Sequence, residues 1–79
     1  MFGVFAVEDD WMKTLGRTIY TLRKIHRLSL TKAAALLHVS PRTLKQIESG
    51  YIGPRVSWAV LLYAAKTFHI KISDLFKES

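Results

Sequence analysis

Apolar residues recur at every third or fourth position over most of this chain, and no segment shows the apolar–polar alternation of a half-buried strand. Trp11, Leu15, Ile19, Leu22 and Ile25 form one such stripe, which predicts a helix over about 11–26. Asp9 or Asp10 is a candidate N-cap for it, and Arg23, Lys24 and His26 suit the negative end of its dipole. A second helix is expected over about 30–37, capped by Ser29 or Thr31, with Ala33, Ala34 and Leu37 on one side. The run Ala33-Ala34-Ala35 favours helix and leaves a thin wall where a neighbour can come close. A third is expected over about 41–49. Ser40 is its cap, Pro41 stands where a missing N–H costs nothing, and Gly50 fits the left-handed residue that ends a helix. Leu44 and Ile47 are its inward residues.

Two glycines and a proline mark residues 50–56 as a loop. Ser57 then caps a helix over about 58–68 that is apolar on several sides: Trp58, Val60, Leu61, Leu62, Ala64, Ala65 and Phe68. So apolar a helix is expected at the centre of its domain. A short helix over about 73–77, capped by Ser73, brings Leu75 and Phe76 to close the core. Residues 1–10 read as an arm or short extended piece whose Phe2, Val4 and Phe5 pack on the domain or on a second copy. The expected fold is all-α: one compact bundle of about five helices over residues 11–79.

The composition excludes several classes. A chain of 79 residues builds one domain, not two. With no cysteine there is neither a disulfide scaffold nor a thiolate metal site. His26, His38 and His69 are too widely spaced for a helical metal pair, so no metal or cofactor is expected. The only acids beyond residue 10 are Glu48, Asp74 and Glu78; no carboxylate pair, catalytic triad or phosphate-binding glycine loop is legible, and the chain is not read as an enzyme. No apolar run reaches the length of about 18 residues that a membrane span needs. Met1–Val7 is apolar but is followed by Glu8, Asp9 and Asp10, unlike a signal peptide, and a cytoplasmic location is expected.

The net charge is +6, and its distribution matters more than its size. No acid occurs between Asp10 and Glu48, a stretch with eight bases: Lys13, Arg17, Arg23, Lys24, Arg27, Lys32, Arg42 and Lys45. Such a segment displaces counterions from a polyanion, which favours nucleic acid as the partner.

The most informative stretch is Leu28–Gly50, LSLTKAAALLHVSPRTLKQIESG, in which His38-Val39-Ser40 joins two short helices. So short a connection sets the helices at a steep angle, and the second projects where it can enter a major groove. From Leu15 to Phe76, about four fifths of the chain, the sequence resembles the lambda-repressor-like family, also called the Cro and repressor or XRE-type helix-turn-helix family. The resemblance rests on Leu22-Arg23, Leu28-Ser29, Ala34, Val39-Ser40, Leu44, Ile47, Glu48-x-Gly50 with Pro54, Phe68-His69-Ile70 and Asp74-Leu75-Phe76. It implies that Arg23 and Glu48 form a structural salt bridge from the first helix to the end of the third. It also implies a left-handed residue at His38, where the family usually has glycine. The family's glutamine at the start of the second helix, and the residue it braces at the start of the third, are here Leu30 and Pro41.

Exposed residues near the start of the third helix are the base-reading candidates: Pro41, Arg42, Thr43, Lys45 and Gln46. Ser29, Thr31 and Lys32 ahead of it, and Ser49, Tyr51 and Arg55 after it, are candidates for phosphate. The expected function is sequence-specific binding of double-stranded DNA by a transcriptional regulator, a phage or mobile-element repressor or Cro-like protein. It is expected to act as a homodimer, open to control by a protein or peptide and without a membrane. The competing reading is a protein-interaction module on the same fold, such as an antitoxin or adaptor.

Overall fold

The structure, a computed structural model, describes residues 2–53 and 56–76, with side chains from Trp11 onward. Its elements are α1 (Phe2–Ile25), α2 (Leu30–Leu37), α3 (Pro41–Glu48), α4 (Trp58–Phe68) and a closing 3-10 turn (Ile72–Phe76), with no strand among the described residues. The protein is therefore all-α, with four α-helices and one 3-10 turn in place of about five helices.

Residues 2–10, expected as an arm or extended piece, have helical backbone continuous with α1. No proline interrupts Phe2–Asp10, so Asp9 and Asp10 lie inside the helix instead of capping it. The closing turn also starts earlier than expected. Asp74 Oδ2 accepts from the N–H of Lys71, the residue just ahead of the turn, at 3.2 Å, and Ser73 is inside the turn.

α3 packs against both α1 and α2, α4 packs on α2, and the closing turn seals α1 and α4. Leu15, Ile19, Leu37, Leu44, Ile47 and Leu75 are fully buried at the common centre. Ile25 does not belong to the α1 stripe and is 66% exposed. At 100° per residue it points roughly 80° away from Leu15, whereas His26 comes back to within about 20°. The His26 ring accordingly packs on Phe68, with centroids 5.2 Å apart. α4 is not central: Val60, Leu61, Ala64, Ala65 and Phe68 are buried, while Trp58, Leu62 and Tyr63 face outward. Among the described residues its main neighbours are α2 and the closing turn, which cover one face of it.

All four α-helices end in the same paired hydrogen-bond pattern. At α2 the Val39 N–H donates to the Ala34 carbonyl at 3.0 Å and the His38 N–H to that of Ala35 at 3.2 Å. Leu28 and Arg27, Tyr51 and Gly50, and Ile70 and His69 repeat it. Each motif turns on one left-handed residue, and three are not glycine: Arg27 (φ 57°), His38 (φ 61°) and His69 (φ 58°). Leu28, Val39 and Ile70 follow them and pack on the core, which offsets the backbone strain. Removing that strain where nothing else depends on the side chain should stabilise the fold. Arg27→Gly is expected to gain about 0.5–1 kcal/mol in thermal or urea unfolding. His38→Gly should gain less, because it also loses the His38–Tyr63 ring contact (centroids 4.2 Å apart).

Candidate nucleic-acid interface

α3 is a short, well-started helix. The Ser40 hydroxyl oxygen accepts from the Thr43 N–H at 3.1 Å, and its O–H donates to Thr43 Oγ1 at 2.9 Å. Leu44 and Ile47 anchor the opposite side in the core. Pro41, Arg42, Lys45 and Gln46 are all exposed and share an arc of about 140°. Thr43 is half-buried, and one of its lone pairs is committed to Ser40.

The arc is fixed from behind. The Arg23 Nε donates to Glu48 Oε2 at 2.7 Å and its Nη2 to Oε1 at 3.1 Å, a forked pair. The Arg23 Nη1 also donates to the Leu28 carbonyl at 3.1 Å. One guanidinium thus joins α1, the α1–α2 turn and the end of α3. Both side chains are about nine-tenths buried. The hydrogen bonds to Glu48 hold the Arg23 pKa above its ordinary value, although burial pulls the other way. Its charge is complete at every pH below that ordinary value, so Arg23 itself gives up its side of the pair only in strong alkali.

α1 reaches α3 at Gly16, a residue that no sequence motif singled out. Gly16 is buried, and a Cβ there would run into the Ile47 carbonyl oxygen and come within 3.3 Å of the Glu48 carbonyl carbon. The lack of a side chain lets the two backbones touch. The signal was a lone glycine in the middle of a strongly periodic helix.

The candidate phosphate residues surround the arc unevenly. Ser29, Thr31 and Lys32 are exposed at the start of α2, and the Ser29 Oγ accepts from the Lys32 N–H at 3.1 Å. The amides of Leu30 and Thr31 keep the free N–H groups of any first turn. Tyr51 is 53% exposed beside the turn at Gly50. The Ser49 O–H already donates to the Gln46 carbonyl at 2.7 Å, so it would have to leave that bond to reach a phosphate. Arg55 lies outside the described residues. Away from this surface, Trp11, Ile52, Val56, Trp58, Leu61 and Phe76 line an apolar cleft of about 250 Å³. None of the described helices is long and apolar enough to cross a membrane.

Comparison with known proteins agrees with this geometry. The chain aligns with a crystal structure of the clp gene regulator ClgR from Corynebacterium glutamicum with a TM-score of 0.72 and 23% identity, covering 82% of this chain and 67% of that one. At that identity the likeness concerns the fold. A sequence comparison with curated proteins gives no match. The family described as Helix-turn-helix matches residues 19–62, more than half of the chain and the whole of α2 and α3. The chain belongs to the XRE-type helix-turn-helix family of DNA-binding regulators.

Proposed function

We propose that this protein is a sequence-specific regulator of the phage or mobile-element repressor or Cro-like type, with α3 in the major groove of duplex DNA. The observation that carries this is the exposed arc of Pro41, Arg42, Lys45 and Gln46 on a helix clamped by Arg23 and Glu48. Arg42 offers a fork for guanine O6 and N7, and Gln46 offers a donor and an acceptor for adenine. Lys45 reaches a guanine or a phosphate, the Thr43 O–H serves a base edge, and Pro41 meets a thymine methyl. Phosphates are held by Ser29, Thr31, Lys32 and Tyr51, with Ser49 and Arg55 as further candidates. The protein acts in the cytoplasm, without catalysis.

In this reading residues 11–79 are the DNA-binding domain. Two copies bind half-sites about 34–36 Å apart. The apolar Phe2, Val4 and Phe5, or the cleft between Trp58 and Phe76, serve the second copy. Control by a protein or peptide fits the same scheme.

Binding to random duplex is expected to fall about a thousandfold between 50 and 200 mM salt, as several phosphate contacts require. On a selected site Arg42→Ala should cost about 1–3 kcal/mol and relax sequence choice, with little change on random DNA. Equal losses on both would make Arg42 a phosphate contact. Exposed Trp58 and the apolar cleft favour the second reading, a module whose main partner is a protein. Duplex binding that is absent, or indifferent to salt, would select that reading.

A further inference from the structure

A second charged surface lies on α1, outside the helix-turn-helix unit. Lys13, Arg17, Tyr20 and Lys24 are all exposed, and their spacing of four, three and four residues puts them on one helix face. The face borders a hollow of about 450 Å³ that α1 forms with the end of α3, where Glu48, Ser49 and Gly50 make the other wall. The Lys13 Cγ would lie 3.5 Å from a Cβ on Gly50, so the stripe abuts the turn that leads to exposed Tyr51. Gly16, one position from Arg17, is where α1 touches the α3 backbone. The stripe is therefore held at a fixed place beside the C-terminal end of the base-reading helix.

The chemistry of this face is that of an anion cradle. Among the described residues, Lys13, Arg17 and Lys24 have no carboxylate partner. Among the described residues, the acid that lines the hollow is Glu48, and both of its oxygens are engaged by Arg23. The Tyr20 ring has the Arg23 guanidinium 5.4 Å and the Lys24 ammonium 5.5 Å from its centroid, both within cation–π range. Lys13 and Arg17 are about 6 Å apart along the helix, and Arg17 and Lys24 about 10 Å. That suits a row of anions more than a single one. The stripe also lacks the buried apolar anchor on which a protein partner depends.

We infer that Lys13, Arg17, Tyr20 and Lys24 form a second DNA-backbone site, holding phosphates of the strand that flanks the groove entered by α3. This rests on the reading of α3 given above. The cations supply affinity without sequence choice, and the Tyr20 O–H supplies one neutral hydrogen bond.

The test compares the full chain with Lys13→Gln/Arg17→Gln/Lys24→Gln and with Tyr20→Phe. All these side chains are exposed, and thermal unfolding checks that the fold is kept. The triple variant should reduce the slope of log K against log salt by about 2–3, near 0.9 per lost contact. It should also weaken selected and random duplexes by the same factor. Tyr20→Phe should bind both about threefold more weakly with the slope unchanged, as loss of a neutral hydrogen bond requires. A triple variant with the wild-type slope, or one weakened on the selected site alone, overturns the cradle. Tighter binding of a polyglutamate peptide than of duplex, abolished in the triple variant, overturns it in favour of an acidic protein segment. Failure of the unmodified protein to bind duplex at any salt overturns instead the reading of α3.

Discussion

Gly16→Ala is expected to lower the unfolding free energy by about 3 kcal/mol, the upper range for overpacking a filled interior. Alanine improves helix propensity by about 1 kcal/mol, so the net loss understates the clash by that amount. The obstacle is the Ile47 carbonyl, a backbone atom within α3 that no rotamer change can move aside. α1 and α3 must separate, and α3 is the helix that reads DNA. The variant should therefore lose duplex affinity as well as stability. Chemical denaturation beside a binding titration checks both. Gly50 provides the contrast: it has φ 99° but only ordinary contact around it, so Gly50→Ala should cost about 1–2 kcal/mol through the backbone alone. A Gly16→Ala protein with wild-type stability would mean that the helices do not touch there.

Glu48→Ala is expected to cost about 3 kcal/mol, because it leaves the nearly buried Arg23 guanidinium without its forked acceptor. The bond from Arg23 to the Leu28 carbonyl survives and limits the damage. Arg23→Met/Glu48→Leu removes both charges and should recover most of the stability, since a buried ion pair contributes little against well-packed apolar groups. Binding should recover less, because α3 is then held by packing and not by directed bonds. A Glu48→Ala protein within about 0.5 kcal/mol of wild type would show that the pair behaves like a surface ion pair.

The sequence made the helices of residues 30–37, 41–48 and 58–68 legible because each has a serine at its cap, and the second of them also has Gly50 as a stop signal. Ser29, Ser40 and Ser57 stand in extended backbone at the caps, though only Ser29 and Ser40 form the side-chain bond. The start of α1 was not legible, because acids at Asp9 and Asp10 look the same as caps and as helical residues. Nor were the left-handed ends at Arg27 and His69, which lack the usual glycine. Their only signal is the apolar residue that follows. His38 was read from resemblance, not from its own chemistry. In the candidate site, the exposed arc follows from helical periodicity alone. Gly16 and the α1 stripe do not. Each takes its meaning from how α1 lies against α3, a tertiary relation that one-dimensional spacing does not hold.

A uniformly ¹⁵N-labelled sample titrated with a 20-base-pair duplex at low salt is the most direct trial of α3 as the helix in the groove. The largest amide shifts should fall on Arg42, Thr43, Lys45 and Gln46, followed by the start of α2 and the Gly50–Tyr51 turn, while Trp58 and its cleft stay still. Shifts centred on Trp11, Trp58 and Phe76, with Arg42 to Gln46 unmoved, would contradict it.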